Sequence, residues 1–136
     1  MKIGKFIAAV VVGLAVAFPA MADISPVEIK GATTVSVSKA KELFEKEVAF
    51  IDVRKNSDWD AGRIPGAVHI ELKKVFSEAK LLEVVKKDKP VVFYCNGESC
   101  LRSSKASAKA VSWGFKNVYY FRLGFPGWKK SGFPVE

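Results

Sequence analysis

The residues best suited to chemistry lie in Val91-Val92-Phe93-Tyr94-Cys95-Asn96-Gly97-Glu98-Ser99-Cys100-Leu101-Arg102-Ser103-Ser104. An apolar, β-favouring run delivers Cys95 to a short polar loop, and a helix of small residues begins near Arg102 or Ser103. A cysteine between the carboxyl end of a strand and a helix N-terminus is surrounded by loop N–H groups and the positive end of the helix dipole. Both stabilise an anion, so the thiolate is favoured and the pKa falls. Cys95 is therefore the candidate nucleophile. Asn96, Gly97, Glu98, Ser99 and Leu101 would contribute mainly backbone to a cradle around it. Gly97 permits the positive φ such a cradle often needs. Cys100 is a second thiol five positions on. A disulfide closing so small a loop removes little entropy from the unfolded chain, so a redox or catalytic role gains weight over a structural one.

The elements that must position this loop follow from pattern. Asp23 to Gly31 has no clear period and reads as a lead-in. Thr33–Val37 suggests a first strand. A helix capped by Ser38 runs to Glu47, with Ala40, Leu43 and Phe44 inward. Val48–Val53 is a nearly continuous apolar run holding Asp52, as in a strand covered on both faces. Asn56–Gly66 is a loop with a helical turn around Ser57–Ala61, punctuated by Gly62, Pro65 and Gly66. Ala67–Ile70 is a third short strand and Ser77–Lys87 a helix. Val91–Tyr94 is the central strand. Ser103–Trp113 is a helix with a small inner face (Ala106, Ala108, Ala110), stopped by Gly114. Asn117–Phe121 is the last strand, and Leu123–Glu136 folds over the domain. Alternating strands and helices predict an α/β fold: an open, mainly parallel sheet of about five strands with helices on both faces. Ligands in such sheets bind outside the carboxyl ends of the strands, where Cys95 and Arg54 fall.

The N-terminus reads as a secretory leader. Lys2 and Lys5 form a basic region, Phe6–Phe18 is apolar, and Ala20-Met21-Ala22 after Pro19 is a cleavage signal. The apolar run is shorter than the ~20 residues of a spanning helix. Cleavage after Ala22 leaves no stable membrane anchor and predicts an exported, periplasmic protein. It removes two lysines and no acids, so the formal charge falls from +8 to +6. The remaining lysines come in ones and twos without interleaved aromatics, which argues against nucleic-acid binding and reads as solvated surface. One histidine, His69, and two cysteines give no convincing zinc set or haem-attachment motif, so no metal or cofactor is expected. Trp59, Trp113 and Trp128 read as packing residues, with Trp128 also a candidate for the rim of the site.

Four segments in order resemble the single-domain rhodanese-like family of exported bacterial type. They are Ile51-Asp52-Val53-Arg54 with Trp59, Gly62, Ile64-Pro65-Gly66-Ala67 and His69-Ile70; Tyr94-Cys95 with Arg102-Ser103; Phe115–Tyr119; and Leu123-Gly124 with Trp128, Gly132 and Pro134. The resemblance covers about Thr33 to Pro134. It implies a rhodanese-like domain over residues 33–136, which follows the leader read over 1–22 and the lead-in over 23–32. The departures concern the site. The family's sulfurtransferases place an arginine five residues after the cysteine, and fold-related phosphatases six. Here Arg102 follows Cys95 by seven, Cys100 stands at the fifth position, and Arg63 replaces the histidine of the family's "GHIPGA".

The resemblance implies sulfane-sulfur transfer. A Cys95 thiolate takes the outer sulfur of thiosulfate or of a persulfide donor, and a thiol or cyanide then takes it from the Cys95 persulfide. Cys100 would resolve the persulfide, protect Cys95 from over-oxidation, or stand by. Arg102 would bind the sulfonate of the donor or tie the loop to the body. Ser103 would complete the cradle, while Asp52 and Arg54 brace the loop, Asp52 accepting hydrogen bonds from its lead-in. The expected partners are a small anionic sulfur donor and a thiophilic acceptor, with a protein sulfur or redox partner also in view, for a monomer. Two other readings stand beside this one: a thiol–disulfide redox protein using Cys95 and Cys100, and a non-catalytic binding module presenting a basic surface.

Overall fold

The computed structural model describes Gly4, residues 9–15 and residues 24–136. The cleavage signal at Ala20–Ala22 lies outside the described residues, as does most of the leader. Val10, Val11, Val12 and Leu14 are exposed and belong to no helix or strand. Among the described residues no helix is long and apolar enough to cross a membrane.

The domain is an α/β fold in which β1 (Ala32–Thr34), α1 (Val37–Glu45), β2 (Ala49–Asp52), α2 (Asn56–Ala61), β3 (Val68–His69), α3 (Glu78–Leu82), β4 (Pro90–Tyr94), α4 (Arg102–Ser112), β5 (Asn117–Phe121) and α5 (Gly124–Lys130) follow in sequence. The five strands form one sheet in the order β1-β5-β4-β2-β3, with every pairing parallel. β4 is central, and four of its five residues, Val91–Tyr94, are fully buried. Each such side chain stabilises the fold by about 1.5–3 kcal/mol.

The two-residue period of a strand sorts these side chains onto two faces. Val91, Phe93 and Cys95 join Ile51, Leu81, Ala106, Ala110 and Val118 under α3 and α4. Val92 and Tyr94 join Phe50, Ala40, Leu43, Phe121 and Trp128 under α1 and α5. The chain leaves β2 towards β3 on one side and leaves β4 towards β5 on the other. The connections therefore part between β2 and β4, which makes the crevice at their carboxyl ends the topological switch point.

Several boundaries differ from the sequence reading. The N-cap of α1 is Ser36, whose hydroxyl accepts from the Lys39 N–H at 3.1 Å, rather than Ser38. The first strand is shorter, ending at Thr34, although the Val35 N–H still donates to the Tyr120 carbonyl. The helix expected over Ser77–Lys87 ends at Leu82, because bonds from Val84 and Val85 both turn back onto the Leu81 carbonyl. The inner face of α4 is Ser103, Ala106, Ser107 and Ala110, while Ala108 is exposed. Spacing of three and four residues shares a helix face, whereas the spacing of two from Ala106 to Ala108 does not.

Candidate active site

Strand alternation directs Cys95 into the layer beneath α4, where it is 1% exposed. It is joined by a disulfide to Cys100, with Cα atoms 6.4 Å apart. The loop between them folds back through a bond from the Cys100 N–H to the Gly97 carbonyl at 3.0 Å, with Gly97 at φ +98°. No side chain caps the start of α4, so its first N–H groups face the loop. The Ser103 hydroxyl is buried at the head of this helix with no hydrogen-bond partner among the described residues. It is a spare donor on the helix face that carries Ala106, which packs in the same cluster as Cys95.

On the opposite face an ionic brace spans the crevice. Arg54 and Asp52 are both buried, and the guanidinium donates to the Asp52 carboxylate from Nη2 at 2.7 Å and from Nε at 3.0 Å. Burial works to lower the Arg54 pKa, but the hydrogen bonds and charge of Asp52 outweigh it and hold the group above its ordinary value. Arg54 also donates to the Gly62 carbonyl at 2.6 Å and to Asn96 Oδ1 at 3.2 Å, and lies over the Phe125 ring at 4.6 Å. Asn96 Nδ2 in turn donates to Asp58 at 2.8 Å. The Asn96 side chain thus ties the residue after Cys95 to the segment following β2 and to α2, a larger part than the mainly backbone one expected. Asp52 takes hydrogen bonds from the Arg54 backbone N–H and guanidinium, and it also stands beside the hydroxyl of Tyr94, the residue that leads into the loop. Tyr94 lies on this face with its hydroxyl accepting from the Ile64 N–H at 3.2 Å, and burial with the nearby Asp52 charge drives its pKa upward.

Arg102 ties the loop to the body. Its Nη1 donates to the Glu71 carboxylate and to the Val53 carbonyl at 3.2 Å, so it bridges α4 to the segments after β2 and β3. Burial pushes the Glu71 pKa up, but hydrogen bonds from Arg102 and from the Lys73 and Lys74 N–H groups prevail and hold it below the ordinary carboxylate range. A pocket of about 380 Å³ opens beside this pair, with Lys55, Lys73 and Lys74 on its walls. Glu98 and Ser99 are exposed at the loop apex, and Leu101 is half-buried. His69 is structural in its contacts: its ring stacks on Trp59 at 4.8 Å and Nε2 donates to the Arg54 carbonyl at 2.7 Å. Arg63 covers Trp59, with its guanidinium carbon 4.6 Å from the ring centroid. Trp128 is fully buried in the α1–α5 core.

Three residues to which the sequence reading gave no part in the loop also shape it. Glu71 anchors Arg102, Asp58 anchors Asn96, and Gly124 lets α5 approach Cys95. The Phe125 N–H donates to the Cys95 carbonyl at 2.9 Å. A Cβ at Gly124 would overlap that carbonyl oxygen and lie 3.0 Å from the Gly97 nitrogen. An acidic residue between a strand and a Lys-Lys pair carries no local sign of such a role.

The chain belongs to the rhodanese-like domain family, whose model matches residues 36–131. It is 32% identical over 106 residues to the thiosulfate sulfurtransferase GlpE of Actinobacillus pleuropneumoniae, covering 76% of this chain and 93% of that protein. It is also 34% identical over 101 residues to a tRNA uridine(34) hydroxylase of Buchnera aphidicola, covering 68% of this chain and only 31% of that protein. The chain thus spans about a third of the length of that longer relative. Among solved structures it superposes on the BH2092 protein of Bacillus halodurans with a TM-score of 0.68 and 25% identity, over 79% of this chain and 78% of that one. The all-parallel five-stranded sheet agrees with this family's fold.

Proposed function

We propose that this protein is a sulfurtransferase that carries sulfane sulfur as a Cys95 persulfide. The observation that carries the reading is the site of Cys95: at the carboxyl end of the central strand, beside the switch point, with the uncapped N–H groups of α4 facing its loop. In the reduced protein the Cys95 thiolate attacks the outer sulfur of thiosulfate. The S–S bond of the donor breaks, sulfite leaves with its electron pair, and Cys95 holds a persulfide anion. Cyanide or a thiolate then attacks the terminal sulfur and returns Cys95 as thiolate. The α4 N–H groups and the Ser103 hydroxyl are the donors available to the persulfide. Arg102 is engaged by Glu71, so Lys55, Lys73 and Lys74 are the cations free to draw an anionic donor to this edge. No cofactor or metal takes part.

Cys100 acts as the resolving thiol. Once the terminal sulfur has taken a proton from water, the Cys100 thiolate attacks Cys95 Sγ, hydrosulfide leaves with that proton and the S–S electron pair, and the Cys95–Cys100 disulfide forms. A thiol reductant then restores the two thiols at the cost of its own oxidation. We further propose that the leader directs the protein to the periplasm, where N-terminal sequencing of the exported protein is to begin at Asp23. The disulfide also favours a second reading, a thiol–disulfide redox protein. Thiocyanate formation from thiosulfate and cyanide by the reduced protein separates the two. Sulfur transfer requires turnover in the wild type and in Cys100→Ser and none in Cys95→Ser. Absence of turnover with every thiosulfate or persulfide donor, alongside ready dithiol–disulfide cycling, gives the redox reading precedence.

A further inference from the structure

The lead-in segment makes a contact that lies outside the family's matched region, which begins at residue 36. Ser25 is 2% exposed, whereas Ile24 before it and Val27 two residues after it are 59% and 62% exposed. Its backbone N–H and its hydroxyl both donate to the carbonyl oxygen of Glu98, each at 2.7 Å. Its own carbonyl accepts from Arg122, from Nη2 at 3.0 Å and Nε at 3.3 Å. Arg122 Nη1 also lies 3.7 Å from the Glu98 carboxylate. The segment is fixed further along by the Tyr120 hydroxyl donating to the Pro26 carbonyl at 3.0 Å and by Thr34 donating to the Val27 carbonyl at 2.6 Å.

Glu98 is the outer residue of a loop two residues longer than the sulfurtransferase pattern. The lead-in segment is thus a strap on this lengthened loop. One residue before Glu98, Gly97 offers its carbonyl to the Cys100 N–H. One residue after it, Ser99 leads into Cys100. Holding Glu98 therefore holds the turn that brings Cys100 onto Cys95.

We infer that Ser25, together with Arg122, is a positioning residue for Cys100. By fixing the Glu98 carbonyl the strap raises the effective concentration of the Cys100 thiol at Cys95. It favours the disulfide over the dithiol. This inference concerns the thiol pair alone and stands whether or not Cys95 carries sulfur.

The test is the equilibrium of the full chain with glutathione, in which the protein dithiol is oxidised as glutathione disulfide is reduced. Samples at graded ratios are trapped by alkylation and the two protein forms counted by mass for wild type, Ser25→Ala and Arg122→Gln. Losing one hydrogen bond of ordinary net strength predicts that Ser25→Ala lowers the equilibrium constant for disulfide formation about fivefold. That is a rise of about 20 mV in reduction potential. Arg122→Gln shifts it the same way. Urea denaturation of each variant, oxidised and reduced, closes the cycle, because the oxidised form must lose more stability than the reduced one. A strap that merely supports the fold weakens both forms alike and leaves the constant unchanged within twofold, which overturns the inference. An unchanged constant with intact thiocyanate formation removes the strap's role and leaves sulfur transfer standing. A lowered constant in a protein that never takes up sulfur supports the strap and removes sulfur transfer.

Discussion

Replacing Gly124 by alanine probes the contact between α5 and the nucleophile's own peptide. Gly124 has φ +58°, and an L-residue there costs about 1–2 kcal/mol. The added methyl overlaps the Cys95 carbonyl oxygen and lies 2.9 Å from its carbon, and backbone atoms cannot rotate away. The helix or the loop must shift by on the order of 1 Å, which adds about 1–3 kcal/mol of overpacking. The Phe125-to-Cys95 hydrogen bond is then lost, for about 1 kcal/mol more. The expected destabilisation is about 4 kcal/mol in urea titration. In whatever fraction stays folded, a displacement of that size slows sulfur uptake by Cys95 roughly 10²-fold. Gly114→Ala is the matched control. Gly114 has φ +89° with no atom within 4 Å of an added Cβ, so it incurs only the backbone strain and keeps its sulfur uptake. Equal destabilisation of the two variants, with uptake unimpaired in Gly124→Ala, would refute the argument that α5 sets the place of Cys95.

Two further substitutions test the braces. Arg54→Met leaves the fully buried Asp52 carboxylate without its partner and is expected to cost about 3–5 kcal/mol in urea unfolding; a loss under 1 kcal/mol contradicts the brace. Arg102→Gln acts through Glu71, whose folded-state pKa lies below the ordinary 4.5. A depressed carboxylate contributes stability above its unfolded-state pKa and loses it as pH falls through the folded value. Without Arg102 the Glu71 pKa rises, so this contribution shrinks: the variant is less stable at neutral pH, and its urea midpoint should fall less than the wild type's as pH is lowered from neutral. Superimposable acid limbs, once normalised at neutral pH, would show that the Arg102–Glu71 pair carries no such linkage.

How much of this was legible in the sequence differs between fold and site. The limits of β5, Asn117–Phe121, were predicted residue for residue, and the run before Cys95 marked the central strand, because apolar β-branched and aromatic runs are strong local signals. The choice of Ser36 over Ser38 as the cap of α1 was not legible, since both serines suit an N-cap and the decision rests on where the β1 backbone stops pairing with β5. The brace of Arg54 on Asn96, the pairing of Arg102 with Glu71 and the grip of Ser25 on Glu98 join residues 42, 31 and 73 positions apart. No local period reports such contacts, which form only when the sheet gathers the carboxyl ends of its strands. Arg102 shows the limit most clearly: its type and place admitted either substrate binding or bracing, and its ties to Glu71 and Val53 come from the fold.

The central claim is that Cys95 carries sulfur, and intact mass tests it most directly. The protein is reduced, freed of reductant, incubated with thiosulfate and weighed, then treated with cyanide and weighed again, beside Cys95→Ser and Cys100→Ser. The account predicts one added sulfur on Cys100→Ser, removed by cyanide and absent from Cys95→Ser, while the wild type passes on to the disulfide and loses two hydrogens. An added sulfur that persists in Cys95→Ser, or no cyanide-labile sulfur on any form with thiosulfate or persulfide donors, would contradict it.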